Sequence, residues 1–188
     1  MAKVGLSNFH YALLLTDNTT ATTYDDSSGM TAIEGLIEAD TKPNASTTVL
    51  YADNGAADSD TSNAETELTI TMKDLGVETR AKLLGHSYTN GVMVEKADDT
   101  APFVAIAFEG LMSNGKKEFV KYYKGKFQEM DETDKTKGEK VEFGTYKFVV
   151  KFINRTSDEA KRTIAREGEK DYVETTGTKW YATVNPTA

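Results

Sequence analysis

Apolar and polar residues alternate along most of this chain, which is the period of β-strands with one face turned to a core. The alternation is cleanest from Phe103 to Phe127, FVAIAFEGLMSNGKKEFVKYYKGKF. Asn114-Gly115 at its centre is the preferred pair for a two-residue type I′ turn, because both residues must take positive φ. That turn sets Ser113 against Lys116, Ile106 against Tyr123 and Phe108 against Lys121. Val104, Ile106, Phe108, Phe119, Tyr123 and Phe127 then form the core face. Lys121 is the misfit on it. Ala105, Ala107, Glu109, Glu118, Val120, Tyr122, Lys124 and Lys126 share the opposite, mixed face.

Other segments repeat the pattern. Asn8 to Thr16 sets Phe9, Tyr11, Leu13 and Leu15 on one face of a first strand. The Thr-rich stretch Asp17 to Met30 reads as a loop. Thr31 to Thr41 gives a second strand whose polar face carries Glu34, Glu38 and Asp40, and Pro43-Asn44 ends it. Thr47 to Tyr51 is a short third strand. Asp53 to Asn63 is small, acidic and without a core anchor, so it reads as a loop that stays mobile until a partner orders it. Ala64 to Met72 alternates Leu68, Ile70 and Met72 against Glu65 and Glu67.

The period changes once. After Asp74 as N-cap, Val77, Ala81 and Leu84 fall at helical spacing, Glu78 and Lys82 form an i,i+4 pair, and Gly85 supplies a stop, which predicts a helix over Leu75 to Leu84. Val92 to Glu95 is a brief strand after the Asn90-Gly91 turn. Gln128 to Lys140 is a charged loop, and Val141 to Ile153 is a strand with Tyr146, Phe148, Val150 and Phe152 inward. Thr156 to Gly168 carries helix and strand signals, Thr156-x-x-Glu159 resembling a capping box; a strand answering its predecessor fits the meander better. The single Trp lies in the tail, Lys179 to Val184, and must pack on its own core or on a neighbouring subunit. About eight strands with one flanking helix and no βαβ alternation predict a mainly β, antiparallel sandwich or barrel.

Composition narrows what such a module does. At 188 residues with 38% hydrophobic positions the chain suits one domain, 1–188. No apolar run is long enough for a membrane helix, and the first residues lack the apolar stretch of a signal peptide. The net charge of -8 disfavours tight binding to nucleic acid, which needs clustered cations. Zero cysteines exclude disulfides and thiolate metal sites.

Candidate chemistry is thin. His10 and His86 sit among structural residues, and Ser87 beside His86 lacks a nucleophile-elbow sequence. Asp58, Asp60 and Ser62 have the spacing that opens a calcium loop, but Asn63 stands where glycine is needed and Thr69 where the bidentate Glu belongs. The carboxylate pairs Glu65/Glu67 and Glu34/Glu38 have no aromatic sugar platform beside them. Lys116, Lys117, Lys124 and Lys126 with Tyr122 and Tyr123 make a small basic patch, fit for an anionic strand or, more commonly, for protecting a sheet edge. No catalytic, cofactor or metal residues emerge.

Several stretches taken together point to a family. Lys3-Val-Gly-Leu-Ser-Asn-Phe-His-Tyr-Ala12, Leu50-Tyr-Ala-Asp-Asn-Gly55, Leu83-Leu-Gly-His86 with Asn90-Gly-Val92, Pro102-Phe-Val-Ala-Ile-Ala-Phe108 and Tyr123-Lys-Gly-Lys-Phe127, in that order and spacing, resemble the major tail proteins of phages with long, non-contractile tails, those of Gram-positive hosts in particular. The resemblance runs to about Ile153 and is less clear over 155–188. It implies the phage tail tube fold, and hexameric rings stacked into a virion tube that conducts double-stranded DNA without binding it. It also implies a tape measure protein inside, tail terminator and distal tail or baseplate proteins at the ends, synthesis in the host cytoplasm and no membrane partner. On this reading Glu34, Glu38, Asp40, Glu65 and Glu67 line the lumen, where negative charge repels DNA. Asp53, Asn54, Asp58, Asp60 and Asn63 belong to a loop that touches the next ring. Two rivals are a tube subunit of a contractile injection or secretion system, which shares the architecture, and a monomeric β-sandwich that binds carbohydrate.

Overall fold

The computed structural model of the chain describes residues 2–52, 55–130 and 144–185, with 45–52 and 55–64 as backbone. Eleven strands and two helices follow one another: β1 (Lys3–Asp17), β2 (Thr22–Tyr24), β3 (Thr31–Ile33), β4 (Leu36–Ala52), β5 (Gly55–Met72), α1 (Val77–Leu84), β6 (Ser87–Thr89), β7 (Val92–Val94), β8 (Phe103–Met112), β9 (Lys117–Phe127), β10 (Tyr146–Phe152), β11 (Arg162–Arg166) and α2 (Thr175–Lys179). All pairings are antiparallel, as the period-2 pattern requires. The main sheet runs β2-β1-β8-β9-β10-β5-β4, with β3 on β1 and β11 on β9. Because β3 and β4 are separated only by Glu34-Gly35, the sheet returns to its first strand and curls like a barrel. Gly35 makes that corner with φ +98°, a backbone that side chains rarely adopt, and its carbonyl accepts from Lys73 N at 2.8 Å.

Both faces of β8 and β9 are buried. On one, Ile106, Phe108, Val120 and Tyr122 join Phe9, Tyr11, Leu68, Ile70, Met72, Phe148, Val150 and Phe152, with Leu83 and Leu84 of α1. On the other, Ala105, Ala107, Phe119 and Tyr123 lie under the C-terminal segment, whose Trp180 and Val184 are buried there with Tyr24 and Met30. The Trp therefore packs on its own chain.

This corrects the expected register of the central hairpin. Met112 N donates to Lys116 O and Gly115 N to Met112 O. Ser113-Asn114-Gly115 is thus a three-residue loop with positive φ at Gly115 alone, not a two-residue turn. Ile106 consequently pairs with Tyr122 and Phe108 with Val120. A register shift between Val104 and Ile106 then gives Val104 opposite Gly125. The one-residue slip moves Phe119, Lys121 and Tyr123 to the second core, and Val120 and Tyr122 to the first. At Asn90-Gly91 both residues do have positive φ, 53° and 84°, so the expected turn there is the two-residue type I′ connection, joining β6 to β7.

Other differences follow from pairing outweighing local propensity. Pro43 and Asn44 do not end a strand; they sit within β4 opposite Thr66 and Glu65. The expected loop over 53–63 is, from Gly55 on, the first half of β5, paired back onto Ala45–Ala52. The loop from Asp17 contains β2, held on β1. Helix α1 begins at Val77 with Gly76 as N-cap rather than Asp74, and Val77 is exposed while Leu83 is buried. Its predicted end holds: Gly85 takes the left-handed cap, and Lys82 meets Glu78 at 2.7 Å. The segment 156–168 does supply a strand, β11, without the capping box, since Glu159 has φ +56°. Helix α2 was not foreseen.

Candidate assembly surfaces

Three features stand out. The first is an arm. Strand β10 pairs with β5 from Thr66 to Met72, and beyond Glu65 the β4–β5 ladder continues to Ala52 and Gly55 with no third strand among the described residues. Eight residues past that point carry the two strands about 26 Å. Between Lys42 and Lys73 the sequence has five carboxylates and no cation. Asp58, Asp60 and Asn63 lie on this arm, opposite Leu50, Thr48 and Ala45. Asp53 and Asn54 fall outside the described residues.

The second is a polar sheet face. Glu38 pairs with Thr71, Asp40 with Thr69, Lys42 with Glu67 and Asn44 with Glu65. Four of the five proposed lumen carboxylates therefore share one solvent face, with exposed Glu34 at the adjoining corner. Strand β10 adds Lys147 and Lys151 to that face, and Lys151 Nζ lies 3.7 Å from Glu65 Oε1. The expected line of carboxylates is therefore interspersed with lysines, Lys42 from β4 itself and Lys147 and Lys151 from β10.

The third is the covering of the second core. Lys121, opposite Ala107, donates to Thr183 O at 2.7 Å and Val184 O at 3.4 Å, with its ammonium 4.8 Å from the Trp180 ring. Burial pushes its pKa down to about 8, and Asp26 acts in the opposite direction. Asp26 in turn accepts from Val184 N at 2.7 Å, and Met30 N donates to Tyr181 O at 2.9 Å. A misfit on the hairpin is thus the hook that holds the C-terminal segment. Asp17 does similar work at the end of β1. Burial opposes its ionisation, but Lys124 at 2.5 Å, Thr156 and Thr22 outweigh this and hold the carboxyl far below its ordinary value.

The basic patch dissolves on folding. Strand β9 is central, Lys117 meets buried Glu109 at 2.7 Å, and Lys124 and Lys126 lie over the Phe103 ring. Both histidines have structural contacts: His10 stacks on Tyr181 at 4.1 Å, and His86 Nδ1 donates to Asp99 at 2.8 Å. Ser87 Oγ donates to Val94 O at 3.3 Å. Among the described residues no three His, Asp or Glu side chains gather as metal ligands, and no helix is long and apolar enough to cross a membrane.

The phage tail tube protein family model matches residues 1–176. The chain belongs to that family. No curated protein matches it. The match covers the arm, the acidic face and β11, and extends past Ile153 into the segment where the sequence resemblance is weaker. A tail tube protein is a structural component of the virion tail that assembles with itself and with other tail parts, which directs attention to surfaces rather than to a reaction centre.

Proposed function

We propose that this protein forms hexameric rings that stack into the tube of a long, non-contractile phage tail, the conduit through which double-stranded DNA leaves the capsid. The family match over residues 1–176 carries this reading. The fold supports it physically. A head-to-tail contact that closes by rotation makes a ring, and the ring's two unlike faces leave an open direction for stacking. A two-stranded ribbon standing alone is marginally stable in water, so the β4–β5 arm calls for a partner. In this reading it touches the next ring through the segment of Asp53, Asn54, Asp58, Asp60 and Asn63. The face of Glu38, Asp40, Glu65 and Glu67, with Glu34 at its corner, lines the lumen. Inside runs a tape measure protein; terminator and distal tail or baseplate proteins close the two ends. The Gram-positive host follows from the sequence resemblance alone.

Negative-stain electron microscopy of the purified protein over a concentration series tests the reading. Hollow rings and tubes that lengthen with concentration are the expected result. Monomers that persist at every concentration and bind a glycan saturably would overturn it.

A further inference from the structure

We infer that the free edge of β11 receives the β4–β5 arm of a second copy by strand addition, a contact that rests on the tube reading above and names the surface the arm meets. In the main sheet β9 gives one edge to β8 and shares the other between β10 and β11. Among the described residues β11 has no partner beyond β9. Tyr123 N donates to Lys161 O, and Glu167 N to Lys117 O. Odd-numbered residues of β11 therefore spend their backbone groups on β9, and by antiparallel alternation Arg162, Ile164 and Arg166 turn theirs outward. Such a row is a template for another strand.

Side chains of the same residues open a binding surface. Arg162 and Ile164 line a groove of about 350 Å³ with Lys3, Leu6 and Ile37, floored by Phe108, Val120 and Tyr122 of the main core. Ile37 and Ile164 are 54% and 47% exposed, large for isoleucines beside a core. Arg162 bonds the Tyr122 hydroxyl at 3.3 Å and, among the described residues, pairs with no carboxylate. The groove is thus apolar at its base and cationic at its rim through Arg162, since the Lys3 ammonium is paired with buried Glu118.

The arm is its chemical complement. It is a ribbon whose outer edges have no partner among the described residues, and its stretch between Lys42 and Lys73 carries carboxylates and no cation. Charge also chooses between the candidate edges: the body of β4 presents Glu38 and Asp40, which repel an acidic arm, whereas β11 presents Arg162. Within one chain the arm's described pairing is its own β4–β5 ladder and that of β11 is with β9, so we assign the occupant to another copy.

Because the chain has no cysteine, Ile164→Cys carries a benzophenone maleimide at one position only. Photolysis of assembled tubes followed by digestion and mass spectrometry should join residue 164 to residues 45–64 of a second copy. Ile164→Pro removes an outward N–H and leaves the pairing with β9 intact, so its monomer should melt like the parent while tubes require about tenfold more protein. Arg162→Glu should block tubes, and Asp58→Lys/Asp60→Lys in the same chain should restore them. Tubes whose crosslinks fall elsewhere, or tubes indifferent to Ile164→Pro, overturn this contact and leave the tube reading standing. A protein that forms no tubes with any of these chains, the parent included, overturns both.

Discussion

A buried lysine ordinarily signals either catalysis or a cost accepted for specificity, and Lys121 belongs to the second kind. It is 4% exposed, its ammonium has carbonyl partners and an indole face but, among the described residues, no carboxylate in hydrogen-bond contact, and burial pushes its pKa down to about 8. In the unfolded chain the same group titrates at about 10.4. Between these values the unfolded state binds more protons than the folded one, so stability rises with pH across that window and the penalty is complete below pH 8. Relative to Lys121→Met, the parent should gain stability from pH 8 to pH 10, measured by urea unfolding of both at half-unit steps. Parallel curves would show that the ammonium is better solvated than its surroundings imply. What the lysine secures is the position of Thr183 and Val184, and with them the cover over Ala105, Ala107, Phe119 and Tyr123.

At the scale of elements, local signals were legible where a single residue type answers a backbone need. Gly85 is the clearest case. It has φ +79°, and an added Cβ would stand 2.2 Å from Thr100 O. Gly91 has φ +84° and nothing within 4 Å of an added Cβ. Both alanine variants incur the left-handed strain of about 1–2 kcal/mol, and Gly85→Ala must also displace the backbone at Thr100. Thermal unfolding should therefore rank Gly85→Ala well below Gly91→Ala; equal losses would mean that the 100–101 segment yields freely. Dipeptide identity was a weaker guide. The same Asn-Gly gives a type I′ turn at 90–91 and a three-residue loop at 114–115, because in the second case the two buried faces, and not the turn, choose the register. Patterning read one face of β8 and β9 as core and could not show that the other is also covered, since its cover arrives from residues 172–184, some sixty positions later. The arm was illegible for a related reason. Its second strand is small and acidic, with the composition of a loop, and becomes a strand only through the partner across the ladder.

At the scale of the whole molecule, the fold concentrates charge where local reading had placed it in pieces. Glu38 and Asp40 come from β4, Glu65 and Glu67 from β5, and the ladder brings all four to one face. Lys42, Lys147 and Lys151 moderate that face without neutralising it. For a conduit this balance is physically sensible. DNA presents a charge every roughly 1.7 Å of its axis, and repulsion from a wall is felt over roughly 10 Å at 0.1 M salt. On the proposed tube reading, a mildly negative wall would keep the duplex off the surface, while the lysines would limit the self-repulsion of a ring that gathered several such faces around one axis. If this face lines the lumen, Glu38→Cys and Glu67→Cys should react with a maleimide on a protein-sized carrier in the unassembled chain and be protected in tubes, while a small maleimide reaches both states. Carrier labelling of tubes at the rate of free subunits would put the face on the outer wall, where the same carboxylates would serve solubility and the conduit would need another lining.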